Sequence, residues 1–375
     1  MTGIAAITMP KWGLTMTEGK ILGWLKEPGA AIGPGDELLE IETSKITNVM
    51  EAGESGVLRR IVAAEGATLP VGALIAVVAP ADVPESEIDA FVAGFEIAAP
   101  AEDEAAAGAA SAPREIQAGG RRLRVLELGE GGTPVVLIHG FGADLNTWMF
   151  TQPVLAERRR TIAFDLPGHG GSDKALAGAD AGAFAAVVGD LFDALGLERA
   201  CLVGHSLGGA VALAFARARP QRVAGLVLIA AAGLGPEIDG AFIDGFVAAQ
   251  RRREAQEVLR RLVHDPQLVS RAMVEDVLRY KRLDGVGPAL EAIAAAWFPG
   301  GRQAVALDPA GLAMPVLLIW GREDRIVPAA HAEALAGRLP VAILDGAGHL
   351  PHMEKSGEVN RLLARFLDGA PPPSQ

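Results

Sequence analysis

Cysteine and basic residues are scarce in this sequence of 375 residues. Cys201 is its one cysteine, so no disulfide can form within the chain, and this fits a reducing compartment. Lys and Arg number 34 against 46 Asp and Glu, which leaves a net charge of −12. This balance argues against a nucleic-acid partner, because phosphate binding requires clustered basic side chains.

Long hydrophobic segments are also missing, although hydrophobic residues make up 50% of the chain and guarantee a substantial core. The longest strongly apolar run covers residues 223–234, whereas a membrane-spanning helix needs about 20 residues. The N-terminus has no basic region followed by an apolar core, so no signal peptide is indicated. We therefore expect a cytoplasmic protein with no membrane partner.

An internal repeat is the most informative feature that is present. Residues 19–41 recur at residues 56–78 with a shift of 37 positions, and the matching glycines are Gly19 with Gly56, Gly29 with Gly66 and Gly35 with Gly72. Between the copies lie two short stretches that flank Thr43-Ser44-Lys45. The pattern predicts two similar β units, in an all-β sandwich or flattened barrel over residues 1–80, with Lys45 displayed at a hairpin tip.

Residues 81–113 differ sharply in composition. They contain no basic residue and these eight acidic ones: Asp82, Glu85, Glu87, Asp89, Glu96, Glu102, Asp103 and Glu104. A short helix over residues 87–95, capped by Ser86, is predicted because Ile88, Phe91, Val92 and Phe95 recur at helical spacing. The Ala/Pro-rich residues 97–113 are typical of a linker that stays extended, spanning about 55 Å.

From residue 114 to residue 371 the pattern predicts one α/β domain. Apolar strand candidates alternate with helical segments such as 181–195 and 210–219, and near-continuous apolar runs are typical of a parallel sheet buried on both faces. The strand candidates are residues 122–128, 135–139, 161–165, 200–204, 223–230, 316–320 and 341–344. Arg-rich, amphipathic sequence at about residues 236–310 interrupts this alternation, and we interpret it as an inserted helical cap.

A candidate nucleophile lies directly after one of these strands. Gly204-His205-Ser206-Leu207-Gly208 is a G-x-S-x-G elbow, in which glycines allow a sharp strand-to-helix turn that holds the serine at a helix N-terminus. Serine needs a base to take its proton and an acid to orient that base.

The base and the acid are expected later in the chain, at the carboxyl ends of strands. His349 follows residues 341–344 in a glycine-flanked loop, and Asp324 follows residues 316–320. We predict His349 as the base and Asp324 as the residue that orients it. His352 and Glu323 are the nearest substitutes.

An acyl-transfer site also needs two backbone N–H groups that bind an oxyanion. Leu207, directly after the serine, is one predicted donor, and Phe141 in the loop His139-Gly140-Phe141-Gly142 is the other. We expect structural roles for the histidines and the acid beside these loops, namely His139, Asp165, His169 and His205. No metal site is predicted.

Two family resemblances rest on these motifs. Residues 114–371 resemble an α/β-hydrolase-fold protein through HGFGAD, DLPGHGGSD, GHSLGG, GREDRIVP and GAGHLPHME. Residues 1–80 resemble a lipoyl (biotinyl-like) domain through MPKWGLTMTEGKI and ETSKI. That resemblance implies lipoate attached to Lys45, with Ser44 replacing the aspartate of the commoner D-K-A pattern.

The combination resembles the dihydrolipoamide acetyltransferase components of bacterial acetoin dehydrogenase complexes. It implies a thiamine-diphosphate-dependent, acetoin-cleaving component, a lipoamide dehydrogenase and a lipoate ligase or transferase as partners, with coenzyme A as acyl acceptor. The chain departs from ordinary acyltransferase components, because none of its Asp-Gly pairs has a histidine four residues before the aspartate. The usual acyltransferase base is therefore missing, and a serine site stands in its place.

The resulting hypothesis is acetyl transfer from dihydrolipoamide on Lys45 to Ser206, and from Ser206 to coenzyme A. Arginines of the cap at 251–253 and 260–261 suit either coenzyme A phosphates or, as we favour, a solvated helix face. A serine hydrolase of thioesters, esters or C–C bonds tethered to the lipoyl domain is one alternative. A lipoyl carrier with an idle serine site is the other. Acyl specificity and oligomeric state stay open.

Overall fold

The structure is a computed structural model that describes residues 3–12, 16–43, 47–97 and 112–369. Its internal contacts divide the chain into two units, residues 1–110 and 111–375. The boundary falls within the acidic segment predicted to be a linker. Lys45 and residues 98–111 of that segment lie outside the described residues.

The first unit consists of two four-stranded antiparallel sheets. One sheet has the order β1-β8-β6-β3 and the other the order β5-β4-β2-β7. The strands are β1 (Ala5–Thr8), β2 (Glu18–Trp24), β3 (Ala31–Ile32), β4 (Glu37–Glu42), β5 (Thr47–Glu51), β6 (Gly56–Ile61), β7 (Thr68–Pro70) and β8 (Leu74–Ala79).

The sequence repeat corresponds to a structural repeat. Strands β2, β3 and β4 of the first copy are equivalent to β6, β7 and β8 of the second, and each sheet pairs the longer strands of one copy with the short strand of the other. Gly35 and Gly72 occupy equivalent turns with φ of 90° and 83°, a backbone region that strongly favours glycine. The repeated glycines are therefore explained by turn geometry.

A short helix, α1 (Glu85–Ala93), belongs to this unit. Its Ile88 is fully buried against Val77 and Ala79 of β8, and its Glu85 forms ion pairs with Arg59 and Arg60. The predicted apolar stripe is thus packed on the sheet.

The predicted start of this helix is wrong by two residues. Pro84 occupies the N-cap position with extended backbone, and no side chain caps the helix, so Ser86 lies inside the first turn. The fixed φ of proline favours a helix that begins directly after it.

The second unit is built on one eight-stranded sheet in the order β16-β15-β14-β13-β11-β12-β10-β9. Strands β11 to β16 are parallel, whereas β10 runs antiparallel to both β12 and β9. The strands are β9 (Arg114–Ala118), β10 (Arg121–Leu128), β11 (Val135–Ile138), β12 (Thr161–Phe164), β13 (Ala200–His205), β14 (Val223–Ile229), β15 (Val316–Gly321) and β16 (Val341–Leu344).

Strand β9 and the antiparallel edge were not foreseen from the sequence. Most residues of β9 are polar and exposed, because it pairs only with β10 at the edge of the sheet. Without an apolar alternation, such a strand has no periodic signal. The central strands β11 to β15, in contrast, are almost entirely buried, as near-continuous apolar runs predict.

Helices cover the sheet and form a cap between β14 and β15. The sheet helices are α2 (Gln152–Ala156), α3 (Ala181–Ala194), α4 (Leu207–Ala218), α9 (Ala330–Glu333), α10 (Pro351–Glu354) and α11 (Ser356–Leu367). The cap helices are α5 (Gly240–Ala248), α6 (Arg252–Leu259), α7 (Arg271–Lys281) and α8 (Val286–Trp297). The four cap helices lie within the segment predicted to be an insertion.

Within the described ranges, no helix combines the length and the apolar character that crossing a membrane would take.

We expect Ile88→Ala to destabilise the first unit by about 2–4 kcal/mol, because the substitution leaves a cavity under α1. Amide hydrogen exchange of β8 in the full chain measures this change. Ile97→Ala is the matched control, since the Ile97 side chain is 49% exposed and such substitutions usually change stability by less than about 0.5 kcal/mol. Equal exchange in the two variants would contradict the docking of α1.

Candidate active site

The nucleophile elbow places Ser206 in a strained backbone conformation. Ser206 has φ of 51° and ψ of −118°, between the end of β13 and the start of α4. A side chain at Gly208 would overlap the carbonyl oxygen of Ile138 in β11. Only glycine therefore lets the first turn of α4 approach the sheet closely enough to hold Ser206 over its edge.

Ser206, His349 and Asp324 are joined by hydrogen bonds in series. The Ser206 hydroxyl lies 2.9 Å from Nε2 of His349, and Nδ1 of His349 lies 2.8 Å from Oδ2 of Asp324. The other carboxylate oxygen of Asp324 accepts hydrogen bonds from the backbone N–H groups of Ile326 and Val327. Because the carboxylate accepts the Nδ1 proton, Nε2 is left as the acceptor that faces the serine.

The sheet explains why these three side chains meet. Asp324 follows β15 and His349 follows β16, and these neighbouring strands are parallel with Gly321 opposite Leu344. Ser206 follows β13, which is separated from β15 by β14 alone. Loops after parallel strands all emerge at one edge of the sheet. All three residues are nearly inaccessible to solvent.

The two substitute residues are engaged elsewhere. His352 is fully buried, with Nε2 placed 3.2 Å from the Thr147 hydroxyl. Glu323 accepts a hydrogen bond from the Ala347 N–H. Neither side chain is hydrogen-bonded to Ser206 or His349 within the described residues.

The loop predicted to bind an oxyanion lies against the nucleophile. A β-carbon at Gly140 would be 3.1 Å from Cβ of Ser206. His139 holds this loop, because its Nδ1 lies 2.8 Å from the Gly140 carbonyl oxygen and its Nε2 accepts the Leu166 N–H at 2.9 Å. In a trans peptide the N–H points opposite to the carbonyl, so the Phe141 N–H is directed away from His139.

The second predicted donor, Leu207, is the first residue of α4. The N–H groups in the first turn of a helix have no acceptor within that helix, so they are available to a bound anion. A serine-bound oxyanion would lie beside this helix N-terminus.

Aromatic side chains of the cap cover the oxyanion loop. The Phe141 ring is packed edge-to-face against Phe246 of α5 and against Phe298 directly after α8, with centroid distances of 5.7 and 6.1 Å. All three rings are buried. The cap thus closes over the side of the site where negative charge would develop.

His205, His169 and Asp165, for which structural roles were predicted, are buried. His205 Nε2 lies 2.8 Å from the His349 carbonyl oxygen, a contact that holds the loop of His349. Asp165 accepts backbone hydrogen bonds from Leu145 and Gly171. Burial lowers the pKa of His205, and it lowers the pKa values of His169 and His352 to about 3.

Several cap arginines form ion pairs on the protein surface. Arg252 pairs with Glu275, Arg253 with Glu257 and Arg261 with Asp239. These pairs are typical of a solvated helix face, the interpretation favoured from the sequence.

The candidate lysine of the first unit lies outside the described residues, but its neighbours are described. Strands β4 and β5 pair antiparallel up to Glu42 opposite Thr47. Residues 43–46, which include Lys45, are the connection between these two strands.

Sequence reasoning missed one residue beside the site. Glu354 lies five residues after His349, and its carboxylate accepts backbone N–H groups on both sides of that histidine, from Gly348 and Leu350. The only available signal was its position inside the motif GAGHLPHME.

Comparison with protein families matches both units. Residues 133–356 match the family described as the alpha/beta hydrolase fold, and residues 5–78 match the family described as biotin-requiring enzymes. The fold class predicted from the sequence is thereby confirmed.

Relatives over the whole length share both units. The chain is 49% identical to the dihydrolipoyllysine-residue acetyltransferase component of the acetoin cleaving system of Pseudomonas putida, covering 98% of this chain and 99% of that protein. It is 44% identical to the protein of the same description from Cupriavidus necator, covering 98% of each.

Other relatives match the second unit alone. The chain is 34% identical to a 2-hydroxymuconate semialdehyde hydrolase of Pseudomonas sp., covering 68% of this chain and 93% of that enzyme. Among solved structures, a meta-cleavage product hydrolase of Pseudomonas fluorescens matches with a TM-score of 0.63 and 26% identity, over 68% of this chain and 97% of that one.

Acid should destabilise the second unit as the pH falls below about 6.5, the usual pKa of histidine. The unfolded chain then binds protons that His169 and His352 cannot bind while folded, until the pH approaches their folded pKa values of about 3. Each histidine should lower the free energy of unfolding by about 1.4 kcal/mol per pH unit.

Urea unfolding at about pH 7 and about pH 5, monitored by hydrogen exchange of strands β11 to β15, measures this dependence. His352→Gln should reduce the slope of the unfolding free energy against pH by about 1.4 kcal/mol per pH unit, the contribution of one proton. An unchanged slope in that variant would contradict a neutral His352 in the folded protein.

Proposed function

Because this chain belongs to the family of dihydrolipoyllysine-residue acetyltransferase components of acetoin cleaving systems, we propose that Ser206, His349 and Asp324 carry out its acetyl transfer. The chain is an acyltransferase with a lipoyl domain joined to an α/β-hydrolase fold, and it works as a component of a multienzyme system. Its acetyl donor is a dihydrolipoyl thioester, and we propose coenzyme A as the acceptor.

The observation that carries this proposal is the pair of hydrogen bonds on the two ring nitrogens of His349. At 2.9 Å from the serine hydroxyl and 2.8 Å from the Asp324 carboxylate, the imidazole is within proton-transfer distance of the nucleophile and is held in one tautomer. No other histidine in the described residues is bonded to a serine hydroxyl and a carboxylate at the same time.

Lys45 is the proposed attachment point of lipoate. The antiparallel pairing of β4 with β5 includes Glu42 opposite Thr47, and Lys45 lies between these two residues in the sequence. When attached, the lipoyl group supplies a thiol that carries acetyl between active sites.

The first half of the reaction forms an ester on Ser206. The serine proton moves to Nε2 of His349 while the hydroxyl oxygen bonds to the thioester carbonyl carbon. The N–H groups of Phe141 and Leu207 would stabilise the oxyanion that results. The carbon–sulfur bond then breaks, and the departing sulfur takes the proton from His349.

The second half reverses these events with a different thiol. The coenzyme A thiol gives its proton to His349 and bonds to the ester carbonyl carbon. The carbon–oxygen bond to Ser206 breaks, and the serine recovers its proton from His349. Nothing is oxidised or reduced, and the free enzyme returns.

Selecting a thiol over water is the harder task of such a site. A thioester and a serine ester are both open to hydrolysis, and water is far more abundant than any acceptor. The buried position of Ser206 and the aromatic cover of Phe246 and Phe298 support the exclusion of water from the ester.

The partners are proposed on the same basis. A thiamine-diphosphate-dependent, acetoin-cleaving component would transfer acetyl to the lipoyl group on Lys45, and a lipoamide dehydrogenase would reoxidise that group after the acetyl has left. A lipoate ligase or transferase would modify Lys45. We likewise propose a cytoplasmic location, which fits a chain with a single cysteine.

Hydrolysis is the rival outcome, because relatives of the second unit include enzymes described as hydrolases. A third outcome is an idle serine site on a lipoyl carrier. The three differ in what happens to acetyl when a thiol acceptor is present.

We expect Ser206→Ala to lower acetyl-coenzyme A formation from acetyl-dihydrolipoamide by at least about a thousandfold, and Asp324→Asn by about 10³–10⁴-fold. Asp345→Asn is the matched control, because the Asp345 side chain is exposed and pairs with Arg322 at the surface. Product analysis by mass spectrometry checks this expectation. Free acetate despite ample coenzyme A would indicate a hydrolase, and unchanged transfer in Ser206→Ala would indicate a carrier.

We also expect Lys45→Arg to abolish flux through the reconstituted acetoin-cleaving system, since arginine cannot form the amide that holds lipoate. The same variant should still transfer acetyl from free acetyl-dihydrolipoamide. Lys20→Arg, on strand β2 of the same unit, is the control, and intact mass reports lipoylation. Normal flux through the Lys45→Arg protein would contradict attachment at this lysine.

A further inference from the structure

A segment of the cap crosses directly over the loop that carries His349. The carbonyl oxygen of Leu262, just beyond α6, accepts the His349 N–H at 2.7 Å. A β-carbon at Gly348 would lie 2.8 Å from the Leu262 oxygen and 2.8 Å from the His264 nitrogen. The two backbones are therefore as close as a glycine permits.

The Glu354 carboxylate is hydrogen-bonded both to the His349 loop and to the cap segment. One of its oxygens accepts the N–H groups of Gly348 and Leu350 at 2.9 and 3.3 Å. The other accepts the N–H of His264 in the cap segment at 2.6 Å. One side chain thus binds the residues before and after His349 and also binds the cap.

Glu323 reinforces the same contact. Its Oε2 accepts the Ala347 N–H at 3.1 Å and lies 4.0 Å from Nδ1 of His264. His264 is thereby held through its backbone by Glu354 and lies near a second carboxylate through its ring.

We propose that Glu354 is a positioning residue that keeps the cap closed on the His349 loop while Ser206 carries the acyl group, so that a thiol and not water takes it. This inference rests on the proposed transfer through Ser206. Transfer through Ser206 requires that water be excluded, and the proposal attributes this exclusion to the contact of Glu354 with the cap.

The chemistry of the contact calls for a carboxylate. All three partners are N–H donors, and a carboxylate is the one side chain of this length with two oxygens that only accept. Burial raises the pKa of Glu354, whereas its hydrogen bonds with the three N–H groups favour the charged form. In glutamine one oxygen becomes an NH₂ donor, which would face another donor.

The contact of Glu354 with the cap would determine how the Ser206 ester is divided between two products, acetyl-coenzyme A and acetate. Both fates of the Ser206 ester use the same base, so a change in His349 alone would slow them together. A looser cap segment instead admits water to the ester and weakens the fit of the acceptor thiol. The ratio of acetyl-coenzyme A to acetate therefore reports closure, and it does not depend on the amount of folded enzyme.

The test compares the lipoylated full chain with Glu354→Gln, supplied with acetyl-dihydrolipoamide and saturating coenzyme A. We expect the ratio of acetyl-coenzyme A to acetate to fall about tenfold. Glu358→Gln, four residues further on in the first turn of α11, should keep the ratio of the unsubstituted chain. Labelling of Ser206 by a fluorophosphonate counts the folded active sites.

Gly348→Ala approaches the same contact from the other side, because its β-carbon would push the cap segment off the loop. It should lower the ratio in the same direction, which keeps the proposal testable if Glu354→Gln does not fold. If the ratio of acetyl-coenzyme A to acetate is unchanged in each of these two variants that folds, the role of Glu354 is overturned. Transfer that persists in Ser206→Ala would instead overturn the proposed function, so the two failures are distinguishable.

Discussion

The hydrogen bond between His349 and the Asp324 carboxylate is the interaction on which the proposed active site depends. It selects the tautomer in which Nε2 accepts the serine proton, and much of the surrounding structure serves to hold its two ends. Two backbone N–H groups hold Asp324. The His349 backbone is held by His205 from the sheet side and by Leu262 from the cap. The histidine is thus fixed by the core and by the inserted cap at once.

The two units divide the work between transport and chemistry. The first is a small duplicated β structure whose equivalent turns and strands follow from one repeated pattern, and Lys45 falls in the connection between β4 and β5. The second holds a nearly inaccessible serine. A lipoyl group on Lys45 would suit such a site, because it is narrow enough to enter where the surface of a folded domain cannot. The family assignment from the sequence is confirmed by relatives that share both units.

The hydrolase fold poses a particular problem for a transferase. Relatives of the second unit include enzymes described as hydrolases, and the same arrangement of serine, histidine and acid serves either outcome. The chemical groups therefore do not separate transfer from hydrolysis. In the proposed mechanism the two outcomes differ in the access of water to the Ser206 ester. The cap, the rings of Phe246 and Phe298, and the contact of Glu354 with His264 would control that access.

Motifs whose meaning is local could be predicted from the sequence by itself. The G-x-S-x-G elbow, the loops that follow apolar strands, and the 37-residue repeat all depend on turn geometry and strand burial within a few residues. The polar edge strand β9 and the start of α1 at Glu85 escaped prediction, because pairing at a sheet edge and the preceding proline decided them. Only the tertiary structure showed that Glu354 binds the cap, and that His139 turns the Gly140 carbonyl toward itself. Such contacts join segments that are far apart in the chain and satisfy buried backbone groups. Because these contacts do not recur at a fixed spacing, no periodic sequence pattern predicts them.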